Sequence, residues 1–208
     1  MVKVLPIGLL TLLALAPARA DVKPASLFQD HAVLQQGRPV SVWGTAEPGE
    51  QVSVAYSAGT VKESASATTD EDGRWKVELP ALASTAEPGT LEIRGKNAVT
   101  FSNVLVGEVW LASGQSNMEW TVKNSGNAEK EIAGATDPLI RVVKIMHLSS
   151  EKPAAAAGGK WQVCSPSTAG GFSAVGYSFA RELREKLGRK FPWASSTRVG
   201  EAPRSRLG

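Results

Sequence analysis

Between residues 21 and 103 apolar and polar positions alternate in short runs, at 31–34, 39–44, 51–56, 74–79 and 90–94. Alternation with period two is the signature of strands that bury one face. Gln36-Gly37, Glu47-Pro48-Gly49-Glu50, Asp70-Glu71-Asp72-Gly73 and Glu87-Pro88-Gly89 separate the runs as turns. Strands at this spacing predict an all-β domain, a β-sandwich, over 21–103. Trp43 and Trp75 fall on two of these strands, where aromatic rings ordinarily bury area in the core; a sugar-stacking pair is the alternative.

At Val104 the pattern changes. Residues 104–112 are almost continuously apolar, too short to cross a membrane and too unbroken for a half-exposed strand, which predicts a central strand covered on both faces. Gly114 offers the positive φ of a sharp turn. The polar stretch 119–130 then reads as helix or loop. Ser116 and Asn117 stand between strand and helix, and two readings fit them equally well by type. Either one caps the helix with its side chain, or Ser116 is a nucleophile lifted clear of the sheet on a strand–turn–helix junction, beside backbone amides that can face an oxyanion. Further on, a strand at 139–145, an Ala/Gly/Pro-rich loop at 151–159, a strand at 161–164 and an amphipathic helix at 175–187 predict the opening units of a mixed α/β domain with a parallel sheet, spanning 104–188.

The first twenty residues change the compartment. Met1 and Lys3 precede an apolar run over 4–15, and Ala18-Arg19-Ala20 supplies small residues for cleavage before Asp21, the pattern of a signal peptide. The mature chain is expected to be exported, periplasmic or extracellular, with no membrane span left. Charge changes less than it first promises. The formal charge is +3, but setting aside Lys3, Arg19 and the five bases and one acid of 189–208 leaves −3 over 21–188. No basic face therefore argues for nucleic acid. The single cysteine, Cys164, excludes an intrachain disulfide and reads as a small buried hydrophobe.

The string Gly-Glu-Val-Trp-Leu-Ala-Ser-Gly-Gln-Ser-Asn-Met-Glu-Trp, residues 107–120, resembles the nucleophile block of sialate O-acetylesterases and related carbohydrate acetylesterases of the SGNH hydrolase superfamily. Residues 27–36 are similar to the start of the β-domain these enzymes carry, and 172–183 to the helix that follows. The resemblance runs from Leu27 to Leu187. It implies that Ser116 is the acyl-accepting nucleophile, with its own amide in the oxyanion hole and with Gln115 and Asn117 at the substrate pocket. It implies an acetylated sugar, sialic acid above all, as substrate, and no metal or other cofactor.

A serine hydroxyl needs a base, usually a histidine held by a carboxylate. The chain has two histidines, His31 in the β-domain and His147 after the 139–145 strand, and both read as structural or surface residues. The resemblance places the catalytic histidine in a later block that this sequence does not show. Family members continue after the helix with a string close to V-P-V-G-L-I-N-S-S-W-G-G-T-x-I-E-A-W. Reading the codons of 190–208 one base earlier is compatible with that string. A one-base frameshift near Gly188 or Arg189 is therefore expected, leaving 189–208 as a disordered tail foreign to the family; a genuine Arg/Ser/Pro-rich tail is the alternative. The chain itself is expected to be inactive or feeble as an esterase. The competing class is a secreted carbohydrate-binding or interaction module without catalysis.

Overall fold

A computed structural model describes residues 21–145, 158–187 and 192–199. The expected signal peptide and His147 lie outside the described residues. In chain order the elements are β1 (Lys23–Pro24), β2 (Val33–Gln35), β3 (Val40–Thr45), β4 (Gln51–Ala58), β5 (Val61–Thr68), β6 (Arg74–Leu79), β7 (Thr85–Arg94), β8 (Ala98–Gly114), α1 (Ser116–Glu119), α2 (Ala128–Ala133), β9 (Ile140–Lys144), β10 (Trp161–Val163), α3 (Ala174–Lys186) and β11 (Trp193–Val199). The result is a mostly β protein with few helices.

Two sheets form. β1, β3 and β6 make a small one; the larger runs β10-β9-β11-β8-β7-β4-β5, with β2 beside β8. Alternation explains how the first part closes. Val40 and Val42 of β3 and Trp75, Val77 and Leu79 of β6 point inward, and so do Val52, Val54 and Tyr56 of β4, Leu91 and Ile93 of β7, and Val104 and Val106 of β8. These side chains share one buried cluster, and each aliphatic removed from water contributes roughly 1.5–3 kcal/mol. The hydroxyl of Tyr56 donates to the Val104 carbonyl at 3.2 Å, so its polar tip is satisfied inside the core.

Several expectations give way here. β5 is absent from the predicted strands because Val-Lys-Glu-Ser-Ala-Ser-Ala-Thr alternates alanine with serine, a pattern too weakly apolar to read; it is an edge strand paired to β4 alone. The Glu87-Pro88-Gly89 turn lies inside β7, where shifts of register around Gly89 absorb the proline. His31 is not in a strand; it sits at φ 69° just before β2. Trp43 and Trp75 cannot form one platform. Trp75 is in the core while Trp43 lies on the outer face of β3, edge-on to Phe28 at 4.9 Å.

The change of pattern at Val104 falls within a single strand. β8 runs antiparallel to β7 from Ala98 to Val106, touches β2 at Leu105–Gly107, and continues parallel to β11 from Glu108 to Gly114. The expected disorder over 189–208 does not hold for Trp193–Val199, because β8 and β9 flank this segment and it pairs in parallel with both. Two open strand edges satisfy its backbone whatever its side chains. Against the α3 side of this sheet packs a second apolar cluster, with Ile140 and Val142 from β9, Phe172, Tyr177 and Ala180, and with Cys164 buried as expected. Burial pushes the Cys164 thiol above its ordinary range. On the opposite side Ala32, Val33, Leu105, Val143 and Trp161 form a third cluster.

Candidate active site

β8 delivers the candidate site. Its upper half, from Glu108 to Gly114, lies beside β11 and ends in Gln115, the residue before α1, with extended φ −97° and ψ −161°. Ser116 is the first residue of α1, and Gln115, Ser116 and Asn117 are all exposed. No side chain caps α1. The capping reading of Ser116 and Asn117 therefore falls, and the serine hydroxyl stands at the end of a strand, open to solvent. The turn closes through its backbone: the amide of Met118 donates to the Gln115 carbonyl at 2.9 Å, and that of Trp120 to the Asn117 carbonyl at 3.3 Å. The amides of Ser116 and Asn117 open the helix, where intrahelical carbonyl partners are lacking, so they can face an oxyanion.

Gly114 plays a different part from the expected one. It is not in the positive-φ region, and an added Cβ would meet only Met118, at 3.8 Å. The glycine the strand requires is Gly107. A methyl group there would run into the carbonyl of Pro192, whose oxygen accepts from the Glu108 amide at 3.0 Å. Gly107 thus lets β11 close on β8, and sequence spacing gives no hint of it, because the obstructing atom is distant in the chain.

α3 holds the turn from behind. Its N-terminal residue Ser173 accepts from the Gly176 amide at 3.3 Å and donates to the Met118 sulfur at 3.4 Å, while the Ala174 amide donates to the Trp120 carbonyl at 2.8 Å. The serine at this cap was not singled out from the sequence. The segment after α1 is thereby tied to the helix that packs on the same sheet.

The histidine that the structure describes is not a base for Ser116. His31 Nδ1 lies 2.8 Å from Asn103 Nδ2, and Asn103 Oδ1 accepts from Arg141 Nη2 at 3.0 Å. At ~3.3 Å of rise per strand residue, Asn103 and Gly114 are roughly 35 Å apart along β8. Arg141 is buried, with Nε and Nη1 unpaired, and desolvation pushes its guanidinium down to about 10. The His31–Asn103–Arg141 chain joins β9 to the turn before β2. It is a structural junction in the interior of β8, away from the serine. A cavity of about 220 Å³ lined by Asp137, Tyr177, Arg181 and Arg184 also lies away from the serine, at the level of Ile140, which is in register through β11 with Glu108. There Arg184 grips Asp137 through two hydrogen bonds, at 2.8 and 3.1 Å. Among the described residues no three His, Cys, Asp or Glu side chains gather in a way that would hold a metal ion.

The fold is similar to that of a solved carbohydrate acetylesterase from Xanthomonas citri, which superposes with a TM-score of 0.79 at 36% identity over 86% of this chain and 40% of that one. A sialate O-acetylesterase from Rattus norvegicus is 30% identical over 210 residues, 90% of this chain and 38% of that protein, and one from Mus musculus is 30% identical over 139 residues. Over most of its own length the chain is therefore similar to sialate O-acetylesterases and to a carbohydrate acetylesterase. No family model matches it. It spans about two fifths of the length of the rat and Xanthomonas acetylesterases. The strand–helix turn with Ser116 lies within the part shared with the acetylesterases, on the longest strand of the molecule.

Proposed function

We propose that this chain is part of an exported serine esterase that removes O-acetyl groups from sugars, sialic acid among them, and that it comprises a β-sandwich followed by the first part of an SGNH-type α/β domain. The observation that carries the reading is the exposed, uncapped Ser116 on a strand–helix turn, in a fold similar at 36% identity to a carbohydrate acetylesterase. In this reaction the Ser116 oxygen attacks the acetyl carbonyl as its proton passes to a base. The carbonyl oxygen takes the negative charge, and the amides at the start of α1 stabilise it. The sugar hydroxyl leaves with a proton, and water then releases acetate from the acyl-serine. Gln115 and Asn117 flank the serine, where they can orient the acetyl group. The chemistry calls for no metal or other cofactor.

Among the described residues no base stands near Ser116, so the chain by itself is expected to turn over slowly, since losing a triad base lowers kcat by on the order of 10⁴-fold or more. That same observation favours one alternative, an exported carbohydrate-binding module in which the serine turn does no chemistry. Hydrolysis of p-nitrophenyl acetate by the chain and by Ser116→Ala separates the two. Turnover that disappears in the variant supports the esterase. Retention on an immobilised sialylated glycan with equal background turnover in both proteins overturns it.

A further inference from the structure

The Ser116 turn has little within itself to fix its orientation. α1 is a single turn of four residues with no buried side chain and no side-chain cap, and a helix so short is not stable alone in water. Two backbone bonds close it, from the Met118 amide to the Gln115 carbonyl and from the Trp120 amide to the Asn117 carbonyl. Gln115, Ser116, Asn117 and Glu119 are exposed, and Met118 between them is half-buried.

The Met118 side chain meets the start of α3. Ser173 is 7% exposed, and its hydroxyl makes two bonds at once: the oxygen accepts from the Gly176 amide at 3.3 Å, and the proton is directed to the Met118 sulfur at 3.4 Å. The backbone on either side fixes where that hydroxyl stands. Ser173 forms an antiparallel bridge with Thr121, through the Ala174 amide on the Trp120 carbonyl at 2.8 Å and the Val122 amide on the Phe172 carbonyl at 3.0 Å. Gly176 is packed so closely that an added Cβ would lie 3.5 Å from Ser173 Cβ and 3.8 Å from Ala112 Cβ of β8. Strand, turn and helix therefore converge on one serine. Capping α3 requires only the acceptor, and Asp or Asn caps as well as Ser does. The donor half of the hydroxyl is not needed for the cap, and it points to the residue two positions after Ser116.

We propose that Ser173 is a positioning residue for the acyl-accepting serine. By donating to Met118 it sets the rotation of α1 against β8, so that the Ser116 hydroxyl and the Ser116 and Asn117 amides keep one mutual arrangement. Displacing a reacting group by about 1 Å is enough to slow a reaction on the order of 10²-fold. A thioether is a weak acceptor, so losing this bond should change the geometry of the turn far more than the stability of the chain. The catalytic consequence rests on the reading of Ser116 as the nucleophile; the ordering of the turn does not.

The test uses the full chain and three substitutions. Met118→Leu conserves volume and removes the acceptor while leaving the α3 cap intact; Ser173→Ala removes the donor; Ser173→Thr restores a hydroxyl. Amide exchange by NMR at Asn117, Met118 and Trp120 is expected to rise at least fivefold in Met118→Leu and in Ser173→Ala, and to return toward the parent value in Ser173→Thr. In the Met118→Leu background Ser173→Ala should add nothing to it. Transfer of acetyl from p-nitrophenyl acetate to Ser116, followed by peptide mass under single turnover, should slow at least tenfold in both variants at saturating ester, with the half-saturating concentration unchanged. Exchange indifferent to both substitutions in a folded chain overturns the proposal. So does an effect of Ser173→Ala that is undiminished in the Met118→Leu background, because the hydroxyl would then serve only as the cap of α3. Exchange that follows the expected pattern while Ser116 of the parent chain takes up no acetyl leaves the positioning standing and overturns the esterase reading instead.

Discussion

The β-rich part below Gly107 and the mixed part above it bury their strands differently. Below, two sheets face each other and every inward position from Val42 to Ile93 finds a partner across one cluster. Above, a single sheet is covered by α3 on one face, while on the other the covering cluster of Ala32, Val33 and Trp161 stops short of Leu111. The first arrangement carries stability, and the second leaves a serine at a place where a substrate can reach it. One strand, β8, belongs to both, so the two arrangements are mechanically joined even though their packing is not shared.

The largest effect is expected at the joint. Gly107→Ala puts a methyl against the Pro192 carbonyl, and forcing that contact costs about 3 kcal/mol. Hydrogen exchange should then show lost protection at Glu108–Gly114 and β9 with β4, β6 and β7 unchanged; a uniform loss would mean that the two regions unfold as one. Leu79→Ala and Ile93→Ala, both fully buried, should each cost about 2–5 kcal/mol by denaturant titration, whereas Leu111→Ala should change stability by less than ~0.5 kcal/mol. Equal costs would remove the contrast between the regions.

Asn103 tests the junction between them. Its φ of 54° and its bridge from His31 to Arg141 predict that Asn103→Ala loses about 2–4 kcal/mol, by leaving a buried guanidinium without its acceptor and by straining the backbone. Asn103→Gly keeps the backbone relaxed, so the difference between the two variants, read in thermal unfolding, isolates the strain at ~1 kcal/mol. The smallest effect concerns pH. The Ser102 amide, at 2.6 Å, and then the Ser102 hydroxyl hold the Asp30 carboxyl below its ordinary range. A carboxyl whose folded pKa is depressed contributes stability that is present above its unfolded pKa, and that contribution is lost as pH falls through the folded value. Asp30→Asn should therefore lower the melting temperature slightly at neutral pH, with the difference from the parent chain shrinking as pH falls below about 4.

What could be read from the chain follows the strength of its local signals. The unbroken apolar run before Gly114 announces a central strand, although the cover expected on both faces fails at Trp110 and Leu111, and the serine after it is found on the strand–helix turn, exposed and uncapped. α3 is legible from its periodicity to within a residue at each end. β5 is not, since serine and alanine alternate without hydrophobic contrast, and β7 is legible only over 90–94, because Pro88 reads as a turn unless its neighbours β4 and β8 are known. Gly114 and Gly107 show the limit most clearly. Both are glycines in one strand, and only contact with Pro192 reveals which of them must lack a side chain. β11 was hidden for a related reason: its place is decided by the strands on either side of it rather than by its own residues.

The position of β11 also sets an order on assembly. It lies between two strands that precede it in the chain, so until Trp193–Val199 leave the ribosome β8 and β9 must wait on either side of a gap of roughly 10 Å, two strand spacings. The β-rich part has every strand it needs long before then and can fold first. Nascent chains arrested ahead of Trp193 should already protect β4 and β7 from protease while Ile140–Lys144 is still cut, so the serine turn acquires its shape after the β-rich part.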